Sequence, residues 1–549
     1  MKIFLQMMLL LSLLSFSSCK DWLDLQPEGQ ATSDDLFATG DGYRSVLAGI
    51  YQAMASKNLY GVELQFGLVD CISRQYTWSW KYNIGGESDN VYKIAREYNY
   101  YHTDVRSMID AIWKDGFNVV ANANNLILNL ENVSSDLFAG GEPERKMILG
   151  EAYACRALMH FDLLRLFAPA PIHDEGEQRV PYVEDYPNIQ PNGIGVKPFL
   201  EKVIRDLKTA RELTMEFDTT ALGMSMSASG KSRFYGELEY GMEGYQKEAT
   251  VDGFYQGRGY RLSYYAITAL LARVYQYADM QEDAFRMAKE VLEFKATGPG
   301  GSSYDMFSRD DFNGIRRSNY EEKTDLKNVS GLIFAIYNEE AYNDYGLSSF
   351  FRKKADGNNQ GNWLMLDLDN QNIFQRPDGT MDESNVDIRS SYLLYKPDDR
   401  NIWGNYKISA KWYCSEDASI RRANVQILPV IRATEMRYIM AEYYAKKQQF
   451  GEAYDILNNI RRDRSDWAEV QGPDGGYPDW VTMEDLPVAS DYATFQRDLI
   501  RDAQREWISE GQLFYLYKRL GAKISLKPDE VRELNKSEYM LPVPDNQNM

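Results

Sequence analysis

Apolar residues fall on one face at a 3.6-residue period in several long stretches. Phe37, Tyr43, Val46, Leu47, Ile50, Tyr51 and Met54 predict a helix over about 34–55, capped by Ser33. The same period predicts helices over about 104–129, 142–167, 196–214, 262–278, 281–295, 430–447, 450–464 and 491–518. The helix at 142–167 stops before Pro169 and Pro171. Residues 57–103 sustain no helical period and are rich in Gly, Asn, Tyr and Trp, so they read as loops. From about 297 to 425 Gly, Asn, Asp and Ser are frequent, and short aromatic pieces at 332–337 and 391–395 predict a few strands. The fold class expected is mainly α, a helical scaffold with a large loop-rich, irregular part.

Two segments share a spacing. Ala272, Tyr275 and Ala284 stand at offsets 0, 3 and 12, and Ala441, Tyr444 and Ala453 repeat them. Antiparallel helices that cross closely need small residues at the crossing and an aromatic in the wedge beside it. These offsets match the tetratricopeptide helix pair. Thr268 and Ala288 stand where that repeat has Trp and Phe, so generic helical hairpins remain an alternative.

Composition narrows the function. The 549 residues carry a net charge of -20 with a pI near 4.8, which repels phosphate backbones and argues against nucleic acid as a partner. Three histidines, His102, His160 and His173, show no metal spacing, and His160 reads as a packed helix residue. No two of Cys19, Cys71, Cys155 and Cys414 have zinc-site spacing. There is no GxSxG, HExxH, P-loop or Rossmann fingerprint, so no catalytic residues and no metal ligands are assigned and the chain is not expected to be an enzyme. No cofactor is expected. Structural calcium is the one ion considered, at Asp367, Asp369 and Asn370 or at Asp382 and Glu383, neither an EF-hand loop.

The N-terminus reads as a secretory signal over 1–18. Lys2 supplies positive charge, residues 3–14 are almost wholly apolar, and Ser17-Ser18 precedes Cys19. The apolar run is too short to remain as a membrane-spanning helix. A cysteine at the cleavage site resembles the bacterial lipobox, which implies lipidation of Cys19, although Phe16 replaces the usual Leu. Lys20, Asp21 and Asp24 follow it and resemble the surface-export signal of Bacteroidetes lipoproteins.

Aromatic residues supply the candidate ligand site. Tyr76, Trp78, Trp80 and Tyr82 alternate, so in an extended segment they share one face. Flat aromatic faces stack on the C–H side of a pyranose ring, and Asn83 and Asn90 offer amides to its hydroxyls. Trp363, beside Asn362 in a polar Gly-rich loop, is a second candidate; Trp403, Trp412 and the tyrosines near 337–345 come next. A single buried strand face explains the alternating aromatics equally well.

The order of several segments resembles the SusD/RagB family. These are Cys19-Lys20-Asp21-Trp22-Leu23-Asp24-Leu25-Gln26-Pro27, Ile112-Trp113 with Ala121 to Leu126, Glu151 to Phe167 followed by Pro169 and Pro171, and Ile431-Arg432-Ala433-Thr434-Glu435 with Met440-Ala441-Glu442. Arg505-Glu506, Glu510-Gly511-Gln512 with Phe514, and Leu541-Pro542-Val543-Pro544 complete the series. Between 297 and 425 only Asp387-Ile388-Arg389 is similar.

The resemblance implies tetratricopeptide-like helix pairs, an N-terminal SusD-like region over 19–296 and a C-terminal RagB/SusD region over 297–549 that contains the insert at about 297–425. It implies a lipid-anchored outer-membrane protein, exposed at the cell surface. Such a protein captures oligosaccharide, or alternatively peptide or another nutrient, for a SusC-like TonB-dependent barrel. A surface lipoprotein hydrolase is the remaining alternative. The signature residues read as scaffold: Arg156, Asp162 and Arg165 pairing along one helix, Glu442 with Arg461 between helices, and Glu510-Gly511 at a helix end.

Overall fold

The computed structural model describes residues 36–78, 90–187, 192–236, 251–297, 301–307, 326–339, 341–351, 363–398, 404–412, 426–470, 479–527 and 530–545. Its longer helices are α1 (Gly40–Met54), α2 (Thr103–Leu130), α3 (Gly141–Phe167), α4 (Val196–Asp218), α5 (Tyr264–Tyr277), α6 (Gln281–Glu293), α7 (Ala433–Lys446), α8 (Phe450–Asp463), α9 (Tyr492–Glu506) and α10 (Leu513–Leu520). From α1 to α8 each packs on the next, a succession of helix pairs of the tetratricopeptide kind. Ala272, Tyr275, Ala284, Ala441 and Ala453 are buried at the crossings, as their spacing predicts. Phe285 of α6 stacks on Tyr443 of α7 with centroids 4.3 Å apart and so joins the two pairs.

Helix α1 starts later than the pattern suggests. Thr39 caps it, its hydroxyl accepting from the Gly42 N–H at 3.2 Å. Helix α3 is central, and every residue from Met147 to Phe167 except Tyr153 is buried. Its buried charges are all paired, as burial requires. Asp162 pairs with Arg165 as expected. Arg156 instead reaches sideways to Asp206 of α4 at 2.7 Å and Asn124 of α2 at 2.9 Å. His160 is packed, its ring bonded to the Arg156 carbonyl and the Val183 N–H, both at 3.0 Å.

Residues 57–78 and 90–103 are not the loops the sequence suggests. Short helical turns at Lys57–Gly61, Leu68–Ile72 and Val91–Arg96 bury Leu59, Tyr60, Val62, Phe66 and Leu68 in the core. None is long enough to show a period. This segment is held by the far end of the chain. Gln75 donates to the Trp507 carbonyl at 3.2 Å and accepts from the Ser509 N–H at 3.1 Å. The Gly511 N–H donates to Asp70 at 3.1 Å.

The predicted helix over 491–518 is two helices. Its break centres on Ser509 and Gly511, with φ of 60° and 67°. A Cβ on Gly511 would lie 2.2 Å from the Leu64 carbonyl, so glycine here permits a close approach rather than capping a helix. Glu442 pairs with Arg519 at 2.6 Å and Arg461 with Glu383, in place of each other. A side chain's partner across the fold is invisible to sequence spacing.

In the loop-rich part, β1 (Leu332–Tyr337) pairs antiparallel with β2 (Ile427–Arg432), Tyr337 opposite Ile427. The piece near 391–395 is a turn of helix, Ile388–Ser391, followed by the strand Leu394–Tyr395. Buried pairs tie this part to the helices: Arg389 to Asp502 at 2.9 Å, Arg505 to Glu383 at 2.6 Å, and Arg432 to Glu510 at 2.6 Å.

Candidate functional site

A cleft of about 540 Å³ opens where α1, the end of β1 and the turn before α5 meet. Ala48, Tyr51, Gln52 and Ala55 line it from one face of α1, as their three- and four-residue spacing dictates. Tyr337, Asn338 and Glu339 enter as β1 emerges from the core: the strand is buried to Ile336, and Tyr337 is 43% exposed. Tyr260, Arg261 and Tyr345 complete the lining.

The walls are held from behind. Asn338 donates its side-chain amide to the Ala55 carbonyl at 2.9 Å, which pins the strand end to α1. The Tyr51 hydroxyl donates to Glu151 at 2.8 Å and accepts from the Leu262 N–H at 2.7 Å. Glu151 also takes Arg258 at 2.8 Å and Arg261 at 2.6 Å, and Arg258 forks onto Asp218. Burial alone would raise the Glu151 carboxyl, but Arg261 and Arg258 hold it below its usual range. It is therefore a fixed anion, not a proton donor. Tyr345 packs over Gly61, where a Cβ would lie 2.7 Å from its ring.

Burial, with Tyr235 and Tyr337 nearby, pushes the Tyr260 hydroxyl far up, so it stays protonated. Tyr260 meets Phe234 edge to face, with centroids 5.1 Å apart. Four tyrosine rings with two amides, a carboxylate and a guanidinium at their edges suit a ligand with apolar faces and a hydroxylated rim. Among the described lining residues Glu339 is the one carboxylate.

The structure places two of the sequence candidates, Tyr76 and Trp363, in the core. Tyr76 is fully buried, its hydroxyl on Ser509 at 2.9 Å. Trp363 is 2% exposed and packs in the core. A ring without an accessible face offers no sugar platform, so both are corrected to core positions. Trp78 is half-buried against that core. Trp80, Tyr82, Asn83, Asn362, Trp403 and Cys19 lie outside the described residues. Asn90 caps the helix Val91–Arg96. Trp412 is buried, donating to the Ser509 carbonyl at 2.9 Å. Tyr337 and Tyr345 do line the cleft, whereas Tyr51 and Tyr260 carried no sequence signal beyond helical and turn positions.

Among the described residues no group of three or more His, Cys, Asp and Glu is placed to hold a metal. The Glu383 carboxylate is taken by Arg461 and Arg505, so it is not available to calcium. No described helix is long and apolar enough to cross a membrane.

Residues 21–223 match a family described as SusD-like, starch-binding associating with outer membrane. SusD-like protein P2 of Formosa agariphila is 23% identical over 200 residues, and the matched stretch spans 36% of this chain and 36% of that relative. Among solved structures, a SusD superfamily protein from Bacteroides thetaiotaomicron aligns with a TM-score of 0.57 at 18% identity, over 91% of this chain and 92% of that one. A SusD-like carbohydrate binding protein from Bacteroides vulgatus gives 0.59 at 13% identity, over 92% and 95%. Surface glycan-binding protein A from Bacteroides uniformis gives 0.58 at 13% identity, over 92% and 96%.

Proposed function

We propose that this chain, whose residues 21–223 match a SusD-like family, is a cell-surface lipoprotein of the SusD/RagB kind that captures oligosaccharide and passes it to a SusC-like TonB-dependent barrel. The cleft carries this reading: Tyr337 and Tyr345 present aromatic surface, with the edges of Tyr51 and Tyr260 behind them, beside Gln52, Asn338, Glu339 and Arg261. Stacking takes the apolar faces of a sugar out of water, and the polar side chains replace water at its hydroxyls. The family's own description, starch-binding associating with outer membrane, points to the same ligand class. The SusD-like carbohydrate binding protein of Bacteroides vulgatus and surface glycan-binding protein A of Bacteroides uniformis share the fold.

In this reading the protein binds without turnover. This reading is supported by the described lining, which holds one carboxylate and no Ser, Cys or His, and so neither an acid–base pair nor an activated nucleophile among the described residues. Attachment runs through acyl chains on Cys19, several of which hold a protein to a membrane firmly.

The test is retention of the purified protein on gels cast with starch and with other neutral polysaccharides, followed by calorimetry with the retained glycan. Retention that is lost in a folded Tyr337→Ala, Tyr345→Ala double variant supports the reading. Calorimetric binding of an oligopeptide mixture, with no gel retention, would move the ligand to the peptide class. Steady shortening of the glycan would replace capture by hydrolysis.

A further inference from the structure

A narrow crevice of about 40 Å³ lies between the scaffold helices and shares no lining residue with the aromatic cleft. Arg165 of α3, Arg273 and Tyr277 of α5, and Tyr515 and Arg519 of α10 line it, with Glu435 of α7. Four polar atoms of this lining are buried and have no hydrogen-bond partner: Arg165 Nε, Arg273 Nη1, and the hydroxyls of Tyr277 and Tyr515. The side chains of Arg165 and Arg273 are 4% and 5% exposed. Burial pushes both tyrosine hydroxyls up, so they keep their protons.

The four groups share one property. A guanidinium N–H only donates, and a phenol hydroxyl donates as readily as it accepts. Each guanidinium also holds a carboxylate. Arg165 holds Asp162; Arg273 forks onto Glu435 at 2.6 Å and reaches the Val430 carbonyl at 2.7 Å; Arg519 forks onto Glu442 at 2.6 and 2.7 Å. Three guanidiniums and one carboxylate therefore face the space. The Arg165 guanidinium also lies 3.7 Å above the centre of the Tyr515 ring, which holds the two side chains together.

Leaving buried donors unmade is costly. A water accepts two hydrogen bonds and must also place its own two hydrogens, whereas a spherical anion accepts from every donor that reaches it. A volume near 40 Å³ is room for one or two water-sized spheres.

We propose that this crevice is a binding site for a single monatomic anion, chloride under ordinary conditions, held by Arg165, Arg273, Tyr277 and Tyr515. The ion joins helices α3, α5 and α10, so it staples the first half of the scaffold to its C-terminal end. This does not depend on what the cleft binds.

Thermal melts of the full-length chain in sodium chloride, sodium bromide and sodium gluconate at one ionic strength test this. The halides should raise the melting temperature over gluconate by roughly 1–3 °C, a shift expected from linkage to one weak site. The Tyr277→Phe, Tyr515→Phe double variant keeps the side-chain shape and removes two donors, and it should lose most of that difference. Equal melting in all three salts would overturn the proposal, as would an undiminished halide effect in the folded variant. Crystals of the unaltered protein soaked in bromide give an independent result. An anomalous peak between Arg165 and Arg273 supports the site; water density there without anomalous signal refutes it.

Discussion

Tyr260 and Tyr337 meet edge to face at the cleft, their ring centroids 5.3 Å apart and their planes at 76°. One ring stands on the turn before α5 and the other on the last residue of β1, so the pair joins the helical scaffold to the loop-rich part at the proposed ligand site. Tyr260 is mostly shielded and Tyr337 is largely in solvent, which makes them unequal under mutation.

Tyr337→Ala should therefore leave the melting temperature nearly unchanged while lowering glycan affinity about tenfold, or about 1.4 kcal/mol. Calorimetry with a parallel melt measures both. Unaltered affinity in the folded variant would take Tyr337 out of the site.

Arg258 is fully buried between Glu151 and Asp218. Arg258→Met removes the cation and leaves Asp218 with only hydrogen-bond partners, while Arg261 still holds Glu151. Breaking a buried pair this way costs about 3–5 kcal/mol. Denaturant unfolding should show a loss of that order; a change under 1 kcal/mol would mean the site relaxes or admits water.

Glu63 gives a pH dependence with a definite sign. Burial raises its carboxyl to about 7, only partly offset by hydrogen bonds from the Leu68 N–H and the Tyr92 hydroxyl. Its value in the unfolded chain is about 4.5. Between those values the folded state holds a proton the unfolded state has lost, so this group's contribution falls as pH rises from 4.5 to 7 and is flat outside that window. The shift sets a ceiling of roughly 3 kcal/mol. Glu63→Gln should flatten this part of the stability–pH curve, and an unchanged slope would assign it to other groups.

Cys19→Ala should release the protein from the membrane fraction into the aqueous phase of a detergent partition, with its circular dichroism unaltered. Persistence in the detergent phase would rule out the acyl anchor.

Most of the helices were legible because they carry an apolar stripe, whereas α3 is buried all round and was legible from its length and its stop before Pro169; α2 to α8 lie within a few residues of where the sequence puts them. The stretch at 57–78 was not, because helical turns of five residues are too short to reveal a period. The cleft was hidden for a different reason. Tyr76 and Trp363 stand in polar surroundings along the chain yet are buried in space, because residues far away in sequence cover them. Tyr51 looks like any core position of α1, yet its ring edges the cleft while its hydroxyl ties down Glu151.

The early segment around Asp70 and Gln75 is completed by hydrogen bonds from residues 507–511. That pairing sets an order in time. While the chain is being made, Tyr60, Phe66 and their neighbours have no finished pocket until more than four hundred further residues have emerged. Closing so long a loop is slow and comes late. A polypeptide bound for the cell exterior behind a secretory leader, as proposed here, passes through a narrow channel unfolded, and a core whose two edges lie near opposite ends of the chain postpones its own closure until that passage is over.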